Sequence, residues 1–186
     1  MSTVSSPPPA RRRRTGIRAA VVATVLAVVS AGLFWFQPWK LWVDDRVDAP
    51  LPTASAAADD EERATPPTTP AETEPAELRR GAFISRDHST AGTARVLELP
   101  DGSRFLRLEE LDTENGPDLY VYLSTVPADG DEAAFDDDVV SLGRLQGNLG
   151  NQNYELPAEL DLSRFASVVI WCDRFNSAFG AADLSV

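Results

Sequence analysis

The sequence predicts an all-β domain, an antiparallel sandwich or small barrel of about eight strands, preceded by one transmembrane helix and a disordered linker. Three observations predict this organisation. Residues 81–186 alternate apolar and polar side chains with a period of two, and turn signals such as Pro100-Asp101-Gly102 separate the runs. An uncharged apolar run of about 18 residues lies near the N-terminus. Between them, residues 47–77 are rich in Pro, Ala, Thr and acidic side chains.

The N-terminal part of the chain predicts a single-pass membrane protein. Residues 1–18 are predicted to be a cytoplasmic basic N-terminus, because Arg11 to Arg14 and Arg18 precede the apolar run. Residues 19–37 are predicted to be a transmembrane signal anchor. A cleaved signal would need small residues after the run, where the sequence has Phe36, Trp39 and Trp42. The expected location is therefore the cell membrane, with the C-terminal domain extracytoplasmic.

Residues 38–80 are predicted to be a juxtamembrane and disordered Pro/Ala/Thr/acidic linker. This range offers few large apolar side chains, so burial cannot offset the entropy lost on ordering. From residue 81 to residue 186 the pattern predicts the β-domain, and no stretch shows sustained helical periodicity. The predicted strands are 82–85, 93–99, 105–110, 119–124, 139–145, 153–156, 167–172 and one within 177–186.

Charge excludes one class of partner. Residues 81–186 hold 19 acidic side chains against seven arginines and no lysine, and the whole chain has a formal net charge of −12. A surface this acidic repels phosphate backbones, so nucleic acid is not an expected partner.

Cys172 is the first candidate site residue. The run Val168-Val169-Ile170-Trp171 predicts a buried central strand that ends on this residue, the only cysteine in the chain. No internal disulfide can form, so three roles stay open: a buried packing residue, a redox thiol or cofactor ligand, and an intermolecular disulfide. Thiol reactivity would require a lowered pKa from a nearby cation.

His88 is the second candidate, the sole histidine, in a polar loop between the first two predicted strands. It is either an exposed loop residue or, if the fold brings it to Cys172, one of two axial haem ligands or the imidazolium partner of a thiolate. The chain has no C-x-x-C-H motif for covalent haem attachment and too few ligands for structural zinc.

Other strings predict structure more than function. The acidic residues of 129–132 and 136–138 lack the spacing of a calcium loop, which leaves weak calcium binding as a minor alternative. The glycine-rich string 147–151 predicts a turn, because no helix follows it. Tyr120, Tyr122 and Trp171 are expected to be core or rim aromatics.

Four strings in the folded part carry a family resemblance. They are Gly81-Ala82-Phe83 with His88 and Gly92; Gly116-Pro117-Asp118-Leu119-Tyr120-Val121-Tyr122-Leu123-Ser124; the run from Leu142 to Pro157; and V-V-I-W-C-x-x-F with Phe179-Gly180-Ala181-Ala182-Asp183-Leu184. In this order they resemble the DM-thirteen domain family. The resemblance implies a β-rich extracellular domain, proposed to act in electron transfer, whose characteristic cysteine is a bare thiol or a ligand to a prosthetic group such as haem. Cys172 matches that cysteine.

The leading functional hypothesis is an electron-transfer or redox module that acts through Cys172. His88 is its second ligand or activator, non-covalent haem is the candidate cofactor, and another redox protein is the expected partner. The alternative is a non-catalytic envelope binding or adhesion module in which Cys172 is structural. Both describe a module rather than a self-contained enzyme.

Overall fold

The computed structural model describes residues 11–37, 43–53 and 74–185. Three parts of the sequence predictions lie outside these residues: the start of the basic N-terminus (1–10), the tryptophans Trp39 and Trp42, and residues 54–73 of the linker. The chain divides into two compact units, of which the first contains a helix and the second a β-sheet.

Helix α1 spans Arg11–Phe36 and contains the predicted membrane segment. Its stretch Gly16–Phe36 is long and apolar enough to cross a membrane, and none of that stretch is buried inside the protein. At 1.5 Å per residue, 21 residues extend about 32 Å, close to the thickness of a bilayer's hydrocarbon core. The helix is therefore a candidate membrane span, and a signal sequence would share its length and composition.

The second unit confirms the predicted all-β class, with nine strands in one sheet that curls into a half-barrel. The strands are β1 Arg46–Asp48, β2 Ala76–Ser85, β3 Thr90–Glu98, β4 Arg104–Thr113, β5 Leu119–Ser124, β6 Val139–Arg144, β7 Leu149–Leu156, β8 Ser167–Cys172 and β9 Ser177–Asp183. Their order in the sheet is β1-β7-β4-β3-β2-β9-β8-β5-β6. All neighbours are antiparallel except β1 and β7, which are parallel.

Strand β2 joins the two halves of the sheet. Its residues 76–82 pair with β3, and its residues 83–85 pair with β9. We call β1, β7, β4 and β3 half A, and β9, β8, β5 and β6 half B. At the change of partner a Cβ on Gly81 would lie 1.6 Å from the carbonyl oxygen of Asp183, so only glycine admits this close approach.

The main core lies between the two halves. Alternation along each strand points Leu106 and Leu108 of half A and Val168 and Ile170 of half B into one buried cluster, and all four are 0% exposed. Each such side chain contributes about 1.5–3 kcal/mol when removed from water. This cluster supplies most of the apolar burial of the domain.

A second, smaller cluster covers the outer face of half B. Val169 and Trp171 point away from the main core and pack with Phe135, which lies in the segment between β5 and β6. That segment includes the 3₁₀ turn Glu132–Ala134. Ser124 Oγ donates to the carbonyl oxygen of Phe135 at 3.0 Å and ties the cover to β5. Strand β8 is consequently buried on both faces.

The sheet also includes residues that the sequence analysis placed in the linker. Strand β1 and the first five residues of β2, 76–80, lie within the range 38–80 but pair with β7 and β3 respectively. Their composition is that of a disordered segment, and their strand conformation comes from pairing with the sheet edge. Composition alone therefore placed the start of the ordered domain too late in the chain.

Phe135→Ala should lower the free energy of unfolding by about 3–5 kcal/mol, because it removes a fully buried ring and leaves a cavity over β8. Phe175→Ala, at a ring that is 52% exposed, is the matched control and should cost less than about 1 kcal/mol. Urea unfolding followed by circular dichroism measures both. Equal losses would contradict the assignment of Phe135 as the cover of half B.

Candidate functional site: the end of strand β8

Cys172 is the last residue of β8, and its side chain lies on the inner face of half B. It is 0% exposed and belongs to the same buried cluster as Leu119, its partner on β5, and Phe179 of β9. The sequence analysis expected a thiol at the end of a buried strand, and the structure places it there with the sulfur enclosed by the core.

Burial sets the chemistry of this thiol. Desolvation raises the pKa of Cys172, and the nearby carboxylate of Asp118 adds to the rise, while the backbone N–H groups of Phe175, Arg174 and Asp118 oppose it. The group is therefore a protonated thiol at neutral pH. A buried, protonated thiol is a poor nucleophile. It cannot undergo thiol–disulfide exchange, because a disulfide on another molecule cannot reach the sulfur.

His88 lies in the loop between β2 and β3, with other partners. Its Nδ1 is 2.9 Å from Oε2 of Glu114, and its ring stacks on Phe179 with centroids 3.7 Å apart. The hydrogen bond from His88 lowers the pKa of Glu114. Among the described residues, the side chains found in contact with the His88 ring are those of Glu114 and Phe179, and a role of His88 together with Cys172 stays a prediction.

Haem is the prosthetic group that the family resemblance suggests, and these two residues do not fit it. Cys172 is enclosed by packed core side chains, and the ring of His88 stacks on Phe179 with centroids 3.7 Å apart. A haem ligated by both would have to displace the packing around the thiol. We therefore derive no step through haem.

The acidic segment between β5 and β6 has structural partners. Asp131 accepts a hydrogen bond from the backbone N–H of Ala133, and Glu132 accepts one from Ala178 of β9. Among the residues that the structure describes, no group of three or more His, Cys, Asp or Glu side chains is placed to hold a metal ion. The carboxylates thus fasten the cover of half B to the sheet.

The sequence analysis missed a pair at the same strand end. The hydroxyl of Tyr122 on β5 donates to Oδ1 of Asp173, the residue directly after Cys172, at 2.5 Å. Burial raises the pKa of Tyr122, and the Asp173 carboxylate raises it further. The sequence shows Tyr122 in a Tyr-x-Tyr run and Asp173 directly after a predicted strand. It does not show that the two side chains pair, because the pairing depends on the register of β5 against β8.

Neighbouring aromatic rings continue from Tyr122 along the outer face of half B. The centroid of Tyr120 is 6.1 Å from that of Tyr122, and Trp171 lies opposite Tyr120 on β8. The guanidinium of Arg144 lies 5.1 Å from the Tyr120 centroid, in cation–π contact. The strand end therefore carries a thiol on its inner face and a phenol–carboxylate pair on its outer face.

Comparison with known proteins gives one match. Residues 82–184 match the family model described as electron transfer DM13, which confirms the resemblance found in the sequence. No curated protein and no solved structure matches the chain. The matched range begins at Ala82, so β1 and the first part of β2 lie outside it although both belong to the sheet.

Stability at alkaline pH should depend on Cys172. Because its folded-state pKa is raised, the stabilisation is complete below the unfolded-state value of about 8.5 and is lost as pH rises through the folded-state value. The wild type should lose up to about 1.4 kcal/mol per pH unit more than Cys172→Ala in this window. Urea unfolding between neutral pH and pH ~10 measures the difference.

The rate of alkylation gives a second measurement of the burial of Cys172. Iodoacetamide should alkylate Cys172 much faster in urea than in the folded state, because unfolding exposes the sulfur and restores an ordinary pKa. Equal alkylation rates, together with parallel pH profiles for the wild type and Cys172→Ala, would contradict the burial described above.

Proposed function

The chain belongs to the electron transfer DM13 family, and on this premise we propose that its β-domain is a membrane-anchored electron-transfer module with Cys172 as a redox group. The partner is a protein that carries a one-electron acceptor. Family membership supports the electron-transfer role. The membrane anchor and the role of the cysteine are the parts that we add.

Helix α1 supports the anchor. Its apolar stretch Gly16–Phe36 has the length of a membrane span; Arg11 to Arg14 lie before this stretch and Arg18 is its third residue. Positive residues are retained on the cytoplasmic side of a membrane. We therefore place the N-terminus in the cytoplasm and the β-domain outside it, as the sequence analysis expects.

One observation carries the redox role: the end of β8 holds two oxidisable groups, a thiol on its inner face and a phenol on its outer face. The Tyr122 hydroxyl is hydrogen-bonded to Asp173, and the charge of Asp118, which is paired with Arg144, acts on the Cys172 thiol. One-electron oxidation of a thiol or a phenol releases its proton, so a nearby base assists the step. Burial prevents covalent exchange at the sulfur but leaves electron transfer through the protein open.

The step balances for either group. For Cys172, the S–H bond breaks, the electron goes to the partner's acceptor, and the proton goes to the Asp118 carboxylate, which gives up its 2.6 Å ion pair with Arg144 to accept it. This step leaves a thiyl radical. For Tyr122, the O–H bond breaks, the electron takes the same path and the proton moves along the hydrogen bond to Asp173 Oδ1, which lies 2.5 Å from the hydroxyl oxygen. This leaves a neutral phenoxyl radical. An electron returned by a donor reverses each step and restores the proton.

The second candidate function is a binding module in which Cys172 only packs. The observation that favours it is the complete burial of the thiol in the main core. On that account, Cys172→Ala lowers the free energy of unfolding by about 1–2 kcal/mol and changes nothing else.

Voltammetry of the full chain in detergent separates the two functions. We expect a reversible one-electron wave in the wild type, its loss in Cys172→Ser, and an unchanged circular dichroism spectrum in that variant. Loss of the wave in Tyr122→Phe but not in Cys172→Ser would move the redox role to the phenol. A wild type without any wave would favour the binding module.

A second measurement tests the role of the carboxylate beside Tyr122. After flash photo-oxidation, Asp173→Asn should slow the formation of the Tyr122 phenoxyl radical by roughly 10²-fold, because the proton loses its acceptor. Tyr120→Phe removes the adjacent ring on the same strand and leaves the Tyr122–Asp173 bond in place, so it serves as the matched control. Equal rates in all three proteins would refute the proposed proton transfer.

A further inference from the structure

The edge of β7 binds a piece of the chain that lies outside the family match. The docked segment, residues 43–50, contains β1 and pairs in parallel with the start of β7. The partners are Arg46 with Leu149, Val47 with Gly150 and Asp48 with Asn151. Two more backbone bonds extend the ladder: Leu149 N–H donates to Asp45 at 3.2 Å, and Ala49 N–H donates to Asn151 at 2.9 Å.

Side-chain amides of the domain bind the main chain of the first half of this segment. Oδ1 of Asn148 accepts from the backbone N–H of Asp45 at 2.7 Å, and Nδ2 of Asn115 donates to the carbonyl oxygen of Val43 at 2.7 Å. Asn148 and Asn115 are both buried, at 2% and 9% exposed. Each amide has one partner within the domain, and the segment satisfies its other polar atom, Oδ1 of Asn148 and Nδ2 of Asn115.

The second half of the segment is bound in the same way. Nδ2 of Asn153 donates to the carbonyl oxygen of Pro50 at 2.8 Å. Nη1 of Arg107 donates to the carbonyl oxygens of Ala49 and Pro50 at 3.2 and 3.1 Å, from a side chain that is itself buried. Together, four side chains of the domain contact main-chain atoms at four positions of the docked segment.

Two glycines give the segment room to approach. A Cβ on Gly147 would lie 2.4 Å from the carbonyl oxygen of Asp45, and one on Gly150 would lie 2.1 Å from that of Val47. Both distances are too short for any side chain. Only glycine at these two positions therefore lets the backbone of the segment pass this close.

We propose that this edge is a binding site for extended main chain, filled by the chain's own residues 43–50. We call it the receiving edge and define it by Arg107, Asn115, Gly147, Asn148, Gly150 and Asn153. Its ligand is recognised through backbone N–H and C=O groups, as in strand addition to a sheet. The docked segment is therefore a built-in ligand, and it stays bound to the domain when the covalent connection between β1 and β2 is cut.

The proposal is independent of the redox role. In the chain, residues 38–42 connect the end of the helix to the docked segment, and residues 54–73 connect that segment to β2. If the docked segment is a bound ligand, the connection through 54–73 is not required to keep the domain with the N-terminal part. A cut within 54–73 is therefore the direct test.

The experiment uses the full chain in detergent, immobilised through an N-terminal affinity tag, with a sequence-specific protease site placed within 54–73. After cleavage, the wild-type domain should stay on the resin, and an excess of a synthetic peptide of residues 43–53 should release it. Ala49→Pro removes the N–H that bonds Asn151 and lies in the ligand, outside the receiving edge, so it should speed release without affecting the fold of the domain. Ala49→Ser keeps that N–H and is the matched control.

A second pair of variants tests the receiving edge itself. Gly147→Ala places a methyl group against Asp45 and should speed release about 10- to 100-fold. Gly143→Ala has no atom within 4 Å of its new Cβ and a strained positive φ, so it controls for general destabilisation and should retain the domain. Release of the wild-type domain as fast as Ala49→Pro, or failure of the peptide to release it, would overturn the proposal.

Discussion

Strand β8 is buried on both of its faces, and this constraint determines what the rest of the domain must supply. A strand of six buried residues needs apolar cover on two sides. Half A covers the inner face, and the segment around Phe135 covers the outer one. The guanidinium of Arg86 donates to the carbonyl oxygens of Ala128 and Gly130, and Asp183 accepts from the N–H of Ala128, so the cover is held to the sheet by hydrogen bonds.

The same constraint separates the chemistry at the strand end. Because side chains alternate along a strand, Cys172 points into the core and Asp173 turns toward Tyr122 outside it. The thiol is thereby kept from solvent, while the phenol keeps a hydrogen-bonded carboxylate. Such an arrangement does not suit a nucleophile, because the thiol is buried and protonated.

The sequence was informative wherever local pattern decides structure. Alternation located strands β3 to β9, and the apolar run located helix α1, because both signals depend on residues that are close in the chain. Cys172 was expected at the end of a buried strand and is found there. The burial of a continuous apolar run depends on neighbouring residues, so it could be predicted from the sequence.

Features that depend on pairing between residues far apart in the chain could not be predicted from the sequence. Val47 becomes a strand residue because β7 offers an edge with Gly150 beneath it, and nothing in its own neighbourhood indicates this. The Tyr122–Asp173 bond requires the register of β5 against β8. The contacts of His88 with Phe179 and Glu114 likewise join residues that are far apart in the chain.

The position of β9 in the sheet has a consequence for how the domain folds. It is the last of the nine strands, yet it lies between β2 and β8 and pairs with both. The half-barrel cannot close until β9 has been made, so earlier in synthesis β2 and β8 present open edges to other chains. Such long-range closure slows folding relative to a sheet of consecutive hairpins. The core is therefore protected only after β9 has paired with β2 and β8, which makes the docking of β9 a late step in assembly.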